Sequence, residues 1–351
     1  MRYTDEYLAD IKDVSLCIPE VETLRGKEIF ITGATGLIGS AVADILLMLN
    51  KTDDYGMNII LAGRKPDGIT ARFPEFEEGR DYRFFEYDAT KAVTELISAD
   101  YIIHGASNAD PARISAEPVE TILANIMGLN SLLTAADRDR LKRILYISSS
   151  EIYGVNESFE PYREESLGYV DILNPRSSYP SSKRAAETLC IAYAEEYKVD
   201  ALIVRPGHIY GPVIKLSDSR ASAQFSLKAA KGEAIVMKSL GEQLRSYCHV
   251  LDCASAILAV LIKGENKNAY NISAKQAVVT IRQMAEAFAK AGNVDIVFDV
   301  PSDAERKSYN VMPCSALNSD KLEALGWKAE FDMTKGAEHT VRFLRSILGE
   351  A

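Results

Sequence analysis

Residues 31–41 read ITGATGLIGSA and join the end of an apolar run to a glycine-rich turn and the start of a long apolar helix. Gly33, Gly36 and Gly39 recur every three residues. Glycine permits a tight bend, lets backbone amides approach a pyrophosphate, and lets the helix pack closely on the strand. The helix would then direct the positive end of its dipole at the phosphates. The spacing predicts a dinucleotide-binding turn, and the alternative is a tight turn without a ligand.

On either side of this turn, the chain alternates between apolar runs and helical segments. The runs EIFIT, NIILAG, RFFEY, YIIHGAS, RILYISS and ALIVRPG are short and rich in β-forming residues. Runs that are apolar on both faces are typical of a buried parallel sheet. Strands that alternate with helices predict a doubly wound α/β fold of the Rossmann type.

The alternation of apolar runs and helical segments also suggests where the domain boundaries lie. We expect residues 1–26 to form an N-terminal helical extension and residues 27–207 to form the dinucleotide-binding domain. Later segments are shorter, more mixed and more polar. We therefore expect residues 208–351 to form mainly a smaller substrate-binding lobe, while residues 244–262 pack back onto the sheet domain.

Charge and composition limit the possible partners. The 351-residue chain has a formal net charge of −10, which argues against nucleic acid or an anionic membrane as a partner. The five cysteines include no CxxC pair, and the start of the chain has no apolar signal segment, so we expect a cytoplasmic protein. The longest apolar runs are too short to span a membrane. The cysteines and four histidines show no metal-ligand spacing, so we predict no metal.

The end of the second apolar run addresses the choice of nicotinamide cofactor. A carboxylate there would bind the ribose hydroxyls of NAD, whereas an arginine can accept the 2′-phosphate of NADP. Arg64 and Lys65 follow LAG at this point. The sequence therefore predicts NAD or NADP, tightly held, with a lean toward NADP; the alternative is that both cations are solvated.

Three separated motifs resemble those of the extended short-chain dehydrogenase/reductase family. They are GATGLIG at 33–39, YISSSEIYG at 146–154 and YPSSK at 179–183. Within that family, the chain is similar to the nucleotide-sugar epimerases, dehydratases and decarboxylases, from Lys27 onward. The resemblance implies a nucleotide-diphosphate sugar as substrate and oxidation of the sugar at C4.

The resemblance assigns chemistry to Tyr179, Lys183 and Ser149. Residues four apart share a helix face, so Lys183 can lie beneath Tyr179. A nearby ammonium favours the phenolate and is expected to lower the pKa of Tyr179, which could then act as a general base. The hydroxyl of Ser149 would hydrogen-bond to the same sugar oxygen. The alternative is an ordinary surface pair of tyrosine and lysine.

The family pattern also implies binding residues around this centre. On the cofactor side, they are Gly33, Thr35, Gly36, Leu37, Ile38, Gly39, Arg64, Asp88, Ala89, Ala106, Ser107, Asn125, Tyr179, Lys183 and Pro206. On the substrate side, they are Ser149, Tyr179, His208, Tyr210, Lys238 and Arg245. Arg245 matches a phosphate-binding arginine, or else forms a surface ion pair. His208 replaces the asparagine usual in the family, which suggests an altered substrate contact.

Residues 149–151 bear on the reaction. Glu151 matches the family's dehydratases and decarboxylases, and Ser150 matches the decarboxylases. A 4-keto sugar has an acidic C5 proton. A carboxylate there could abstract that proton as water leaves C6, or steer protonation at C5 after loss of carbon dioxide. We therefore expect Ser150 and Glu151 to join the catalytic set; alternatively, Glu151 caps a helix or is solvated. The other possible activities are 4-epimerisation, 4-keto reduction and, in another class, non-catalytic regulation by cofactor binding.

The resemblance further implies a homodimer. The helices near residues 119–136 and 180–197 would form a two-fold four-helix contact.

Overall fold

Seven parallel strands form the central sheet of the protein. The computed structural model describes residues 3–155, 160–299 and 314–349. The strands, in chain order, are β1 Glu28–Thr32, β2 Asn58–Gly63, β3 Arg83–Glu86, β4 Tyr101–His104, β5 Arg143–Ile147, β6 Ala201–Pro206, β7 His208–Tyr210, β8 Ile235–Met237, β9 Leu244–His249, β10 Asn268–Ile272, β11 Val278–Thr280, β12 Ile296–Phe298 and β13 Cys314–Ser315. The main sheet has the order β10-β6-β5-β4-β1-β2-β3, and every neighbouring pair in it is parallel.

Helices cover both faces of this sheet. Strand β1 illustrates the reason, because Ile29 and Ile31 are buried in one apolar core and Phe30 is buried in a second core on the opposite face. A strand that is apolar on both faces needs cover on both. The predicted doubly wound parallel sheet is confirmed. The helices are α1 Asp5–Leu16, α2 Leu37–Asp53, α3 Pro66–Arg72, α4 Pro111–Ala116, α5 Pro118–Ala135, α6 Ser178–Tyr197, α7 Ala221–Lys231, α8 Val250–Lys263, α9 Ile281–Gly292, a short helix Asp320–Glu323 and a final helix Met333–Gly349.

Two pairs of helices provide most of the cover. Helices α2 and α8 pack against each other on one side, and α5 and α6 pack against each other on the other side. Helix α8 is buried along most of its length, as expected of a helix with apolar residues on every face. The structure therefore has α8 in the layers of the sheet domain.

The remaining strands form two small sheets in the second part of the chain. Strand β9 pairs with β7, β11 and β13, and β12 pairs with β8. Strand β10, in contrast, lies in the main sheet beside β6, so the chain returns to the first domain after β9. The sequence analysis did not anticipate this strand. The predicted division into two domains stays a prediction, with β10 added to the first.

The N-terminal helix is attached to the sheet domain through a buried charge. Asp44 of α2 is fully buried and accepts a 2.7 Å hydrogen bond from the Tyr7 hydroxyl. Tyr3 and Arg72 also donate hydrogen bonds to the Asp44 carboxylate. A buried carboxylate requires such partners to compensate for its lost hydration. Of the helices in the described ranges, none combines the length and apolar character that a membrane span would need.

Candidate active site

The glycine turn after β1 is packed so tightly that side chains are excluded. Gly33 has a φ of +70°, and a Cβ there would lie 2.6 Å from the carbonyl oxygen of Gly105. A Cβ on Gly39 would lie 2.4 Å from the carbonyl oxygen of Gly33, and one on Gly36 would lie 3.2 Å from the same atom. The backbone of this turn therefore needs glycine, and it leaves the N-terminus of α2 open toward a ligand. This cradle fits the pyrophosphate of a dinucleotide.

A buried hydrogen-bond cluster beneath this turn was missed by the sequence analysis. The Thr32 hydroxyl oxygen accepts 3.1 Å hydrogen bonds from the amides of Gly105 and Ala106, and it lies 2.8 Å from Nδ1 of His104. Burial, aided by the nearby Lys183 charge, lowers the pKa of His104 to about 3, so the ring is neutral. The neutral imidazole can therefore accept the Thr32 proton and fix the loop after β4. The only signal in the sequence was a histidine at a strand end.

One large cavity lies at the carboxyl ends of the central strands. Its volume is about 1140 Å³, and it extends from the glycine turn to the second lobe. Ligands of open α/β sheets bind at this edge. Of the residues predicted from the sequence, the following line it: Gly33, Thr35, Gly36, Leu37, Ile38, Gly39, Ser107, Ser149, Ser150, Glu151, Tyr179, Lys183, Pro206, His208 and Arg245.

Tyr179 and Lys183 face this cavity and are shielded from bulk solvent. The residues retain 6% and 2% of their exposure. Lys183 Nζ donates a 2.8 Å hydrogen bond to the Ile147 carbonyl and lies 5.8 Å from the Tyr179 ring centre. Burial lowers the pKa of Lys183 to about 7. The alternative of an ordinary surface pair does not describe these side chains.

The pKa of Tyr179 differs from the sequence-based expectation. Burial raises it to about 12, and the Glu151 charge adds to the increase, whereas a hydrogen bond with Ser149 and the charges of Arg176 and Arg220 lower it. We expected Lys183 to lower this pKa. In the protein alone, the loss of hydration of the phenol outweighs its favourable contacts.

Glu151 lines the cavity in a turn that begins at Ser149. The Ser149 hydroxyl caps the 3₁₀ helix Ser150–Tyr153 by accepting a 3.2 Å hydrogen bond from the Glu151 amide. A carboxylate oxygen of Glu151 accepts a 2.9 Å hydrogen bond from Nη2 of Arg176. Arg176 also lines the cavity, and the sequence analysis missed it. Its position three residues before Tyr179 was the available signal.

A buried network behind the cavity connects this turn to α6. Arg205 forms a two-pronged ion pair with Glu187, with hydrogen bonds of 3.1 and 2.7 Å, and donates a 2.9 Å hydrogen bond to the Tyr153 hydroxyl. Tyr153 in turn donates a 2.7 Å hydrogen bond to Asn271 of β10. Glu187 lies one helical turn after Lys183, so the network holds the catalytic helix against the turn that carries Glu151.

Five predicted cofactor residues do not line the cavity. Asp88 accepts hydrogen bonds from Thr90, which lower the pKa of its carboxyl group, and the charge of Arg64 makes a smaller contribution in the same direction. Arg64 itself is exposed after β2. Ala89 packs against Gly128, and Ala106 is held by Thr32. The buried Asn125 side chain donates a 2.9 Å hydrogen bond to the Ser182 hydroxyl of α6.

The structure corrects the placement of two predicted substrate residues. Tyr210 is buried in the second lobe, where its hydroxyl donates a 3.4 Å hydrogen bond to the Asp332 carbonyl beside the final helix. The exposed Lys238 forms an ion pair with Asp299. Neither lines the cavity. The positions of Tyr210 and Lys238 near family motifs were compatible with a place in the substrate pocket. In the folded second lobe, however, both side chains contact other residues outside the cavity.

The geometry and electrostatics define a class of protein. A glycine cradle, a buried Tyr–Lys pair and a carboxylate share one cavity at the carboxyl ends of a parallel sheet. No group of three or more potential metal ligands is found within the described ranges. This arrangement is that of a dinucleotide-dependent enzyme acting on hydroxyl or carbonyl groups.

Comparisons with known proteins identify the family. A sequence model of the NAD dependent epimerase/dehydratase family matches residues 29–273. The chain is 28% identical over 325 residues to the UDP-glucuronic acid decarboxylase 1 of Xenopus tropicalis, covering 92% of this chain and 73% of that protein. It is also 28% identical over 330 residues to the UDP-glucuronic acid decarboxylase 3 of Arabidopsis thaliana, covering 93% and 90%. The chain belongs to the NAD dependent epimerase/dehydratase family and is therefore an enzyme of the nucleotide-sugar epimerase, dehydratase and decarboxylase group.

Solved structures share the fold. The UDP-glucose 4-epimerase of Thermotoga maritima, determined with UDP-glucose, aligns with a TM-score of 0.75 at 24% identity, covering 92% of this chain and 99% of that chain. A dTDP-glucose 4,6-dehydratase of Streptomyces venezuelae, determined with NAD, aligns with a TM-score of 0.77 at 23% identity, covering 92% and 98%. These likenesses establish the architecture of the chain.

Proposed function

We propose that the protein decarboxylates a nucleotide-linked uronic acid through a transient 4-keto sugar. The observation that supports this reaction is the position of Glu151, which lines the same cavity as Tyr179 and is held by Arg176 at 2.9 Å. The curated relatives named above as UDP-glucuronic acid decarboxylases support it as well. Simple 4-epimerisation requires no carboxylate beside C5.

A dinucleotide fits the glycine cradle, where Gly33, Gly36 and Gly39 would hold the pyrophosphate and Lys183 would hold the nicotinamide ribose. The oxidised cofactor, when bound, would supply a hydride acceptor for sugar C4 and a positive charge that favours the phenolate. Since the hydride returns in each cycle, we expect the cofactor to stay tightly held.

Tyr179 and Ser149 are proposed to act on the C4 hydroxyl. Tyr179 takes the hydroxyl proton while the hydride leaves C4, so that a ketone forms. Ser149 donates a hydrogen bond to the same oxygen. Lys183 fixes the phenol from behind, anchored through the Ile147 carbonyl.

The carboxyl group then departs because the ketone is in the β position to it. The C5–C6 bond breaks, carbon dioxide leaves, and the electron pair moves to the C4 oxygen to form an enolate. Glu151 delivers a proton to C5, and the ketone re-forms. Return of the hydride to C4 and of the Tyr179 proton to oxygen completes a cycle in which one carboxylate and one proton become a C–H bond and carbon dioxide.

The second lobe is proposed to bind the nucleotide diphosphate. Arg245 and His208 line the cavity opposite the glycine turn, and a guanidinium suits a phosphate. His208 is exposed toward the cavity. Loss of hydration there, together with the charges of Arg245 and Arg220, lowers the pKa of His208 to about 4, so this residue would act as a neutral hydrogen-bonding group.

Products from NAD-loaded protein identify the reaction. We expect mass spectrometry to find loss of carbon dioxide from a UDP-uronic acid in a panel of UDP-, dTDP-, GDP- and CDP-sugars. Loss of water would indicate dehydration. An unchanged mass with inverted stereochemistry at C4 would indicate 4-epimerisation, and net consumption of reduced cofactor would indicate 4-keto reduction. Any one of these three results would overturn the proposed decarboxylation.

We also propose that the protein binds NADP through Arg64 and Lys65, which are both exposed immediately after β2. A cation near Asp88 could accept the 2′-phosphate. Titration of stripped protein with each cofactor tests this preference, with Arg64→Ala expected to weaken NADP and leave NAD unchanged. Much tighter binding of NAD than of NADP by the wild-type protein would contradict the proposed preference for NADP.

A homodimer is the proposed assembly. Four large apolar side chains on α5 are exposed and recur at helical spacing, namely Val119, Ile122, Leu123 and Met127. Such a stripe on a helix is typical of an interface. Light scattering at micromolar concentration tests this assembly, and a monomer would contradict it.

The five free thiols support a cytoplasmic location, which cell fractionation can check.

A further inference from the structure

Arg176 and Glu151 form an ion pair inside the catalytic cavity. Nη2 of Arg176 donates to Oε1 of Glu151 at 2.9 Å, and the side chains keep 36% and 44% of their exposure. Both residues line the cavity, so a bound ligand can reach either of them. Within the described ranges, Glu151 is the hydrogen-bond partner of this guanidinium. The pair therefore leaves most of the five guanidinium donors for a ligand.

The backbone holds Arg176 close to the reacting centre. The Asn174 side chain caps the 3₁₀ helix Pro175–Ser177 by accepting a 3.0 Å hydrogen bond from the Arg176 amide. Helix α6, with Tyr179 in its first turn, follows at once. Arg176 and Tyr179 are three residues apart and line the same cavity.

Other cations of the cavity are placed differently. Arg220 forms a two-pronged ion pair with Asp218, with both Nε contacts near 3.0 Å. Arg113 pairs with Glu117 along its own helix at 3.1 Å. Arg176 differs from these two because its anionic partner is the acid proposed to deliver a proton to C5.

We propose that Arg176 recognises an anionic group on the sugar and exchanges Glu151 for it when the substrate binds. This inference rests on the proposed decarboxylation of a uronic acid. A guanidinium binds a carboxylate through two parallel hydrogen bonds, which a neutral hydroxymethyl group cannot replace. The exchange selects acidic sugars and releases Glu151 next to C5.

The exchange also explains how Glu151 could acquire its proton. A substrate carboxylate that approaches Arg176 brings a second negative charge close to Glu151. Two negative charges at short range repel each other, and a proton taken up from solvent removes this repulsion when Arg176 turns from Glu151 to the substrate. The acid that delivers a proton to C5 would thereby form only when a carboxylate is bound.

Binding to protein loaded with the reduced cofactor, which cannot accept a hydride from the sugar, tests the role of Arg176 without turnover. Isothermal titration with UDP-glucuronate and UDP-glucose compares a sugar that carries the carboxylate with one that lacks it. For Arg176→Met, we expect UDP-glucuronate affinity to fall about 10- to 100-fold, as for the loss of hydrogen bonds to a charged group, and UDP-glucose affinity to stay within about twofold. Arg113→Met, which removes a cation from the same cavity, should leave both affinities within about twofold.

A second variant covers the case in which Arg176→Met does not fold. Glu151→Gln removes the competing anion from Arg176, so UDP-glucuronate should bind as tightly as to wild type or a few-fold more tightly, with UDP-glucose unchanged. Equal losses for both sugars in Arg176→Met, no loss for either, or a selective loss of UDP-glucuronate in Glu151→Gln would overturn the inference. Absence of carbon dioxide from UDP-glucuronate with wild-type protein would instead contradict the proposed reaction, and the binding results would still decide the role of Arg176.

Discussion

The buried side-chain amine of Lys183 donates a 2.8 Å hydrogen bond to the main-chain carbonyl of Ile147, the last residue of β5. This contact joins the catalytic helix α6 to the strand that leads into Ser149. It gives the lysine one acceptor at a position that water does not reach, since the residue keeps 2% of its exposure. A single hydrogen bond compensates only part of the lost hydration of an ammonium.

Stability should therefore depend on pH through Lys183. Burial lowers its pKa to about 7, whereas lysine in an unfolded chain titrates at about 10.4. Between these values, the unfolded chain binds a proton that the folded protein does not, so the free energy of unfolding increases with pH. Lys183→Met should remove a slope of at most about 1.4 kcal/mol per pH unit, measured by urea unfolding of cofactor-free protein at several pH values.

The exposed Lys231 of α7 provides the control, because Lys231→Met should leave the slope as in wild type. Parallel curves for wild type and Lys183→Met across the window from about 7 to about 10 would contradict a neutral buried lysine.

Tyr179→Phe should abolish sugar oxidation. Removal of the general base is expected to lower the rate of cofactor reduction at least about 100-fold while cofactor binding remains. Because burial raises the pKa of Tyr179 to about 12, the phenolate fraction of the wild type grows as pH rises, and the reduction rate should grow with it. Stopped-flow absorbance of the reduced nicotinamide measures both effects.

Tyr169 offers a matched phenol for this experiment. It lines the same cavity but keeps 69% of its exposure, so Tyr169→Phe should reduce cofactor at close to the wild-type rate. Equal rates in Tyr179→Phe and wild type would exclude Tyr179 as the base.

Glu151→Gln should separate oxidation from the later steps. The amide keeps the shape of the side chain but cannot deliver a proton, so the cofactor should still be reduced while product formation falls at least about 100-fold. Rapid-quench mass spectrometry should then detect the 4-keto species. Glu165→Gln changes an exposed acid outside the cavity and should turn over normally. Normal product formation by Glu151→Gln would remove this residue from the chemistry.

Gly39→Ala should impair cofactor binding through backbone displacement. The new Cβ would lie 2.4 Å from the Gly33 carbonyl oxygen, which cannot move without disturbing the turn. We expect NAD affinity to fall at least about tenfold and the free energy of unfolding to fall by about 1–3 kcal/mol. Gly349→Ala, which meets nothing within 4 Å, should change neither quantity. Calorimetry and denaturant unfolding of the two variants decide the outcome, and unaltered NAD affinity in Gly39→Ala would contradict the proposed cradle.

The spacing of residues in the sequence predicted those structural features that depend on neighbouring residues. The central sheet is parallel because its strands are apolar on both faces, and the turn at Gly33 needs glycine because backbone approaches backbone there. The four-residue spacing of Tyr179 and Lys183 places both on one face of α6. These features depend on helix and strand periodicity, which can be recognised within a short stretch of sequence.

The hydrogen-bond partners of the side chains and their pKa values depended instead on the tertiary structure. Arg176 meets Glu151 across 25 residues, and the Tyr153 hydroxyl meets Asn271 across 118, so no spacing in the sequence indicates either pair. The raised pKa of Tyr179 follows from burial by several elements at once.

The amino-acid sequence by itself thus determined the doubly wound sheet, the glycine cradle and the reactive tyrosine and lysine, because periodicity and glycine sterics act within a few residues. Only the tertiary structure decided that β10 joins the main sheet, that Tyr210 leaves the cavity, and that Arg176 holds Glu151. Those outcomes result from how distant segments pack together, and packing sets which charges lose water and which find a partner.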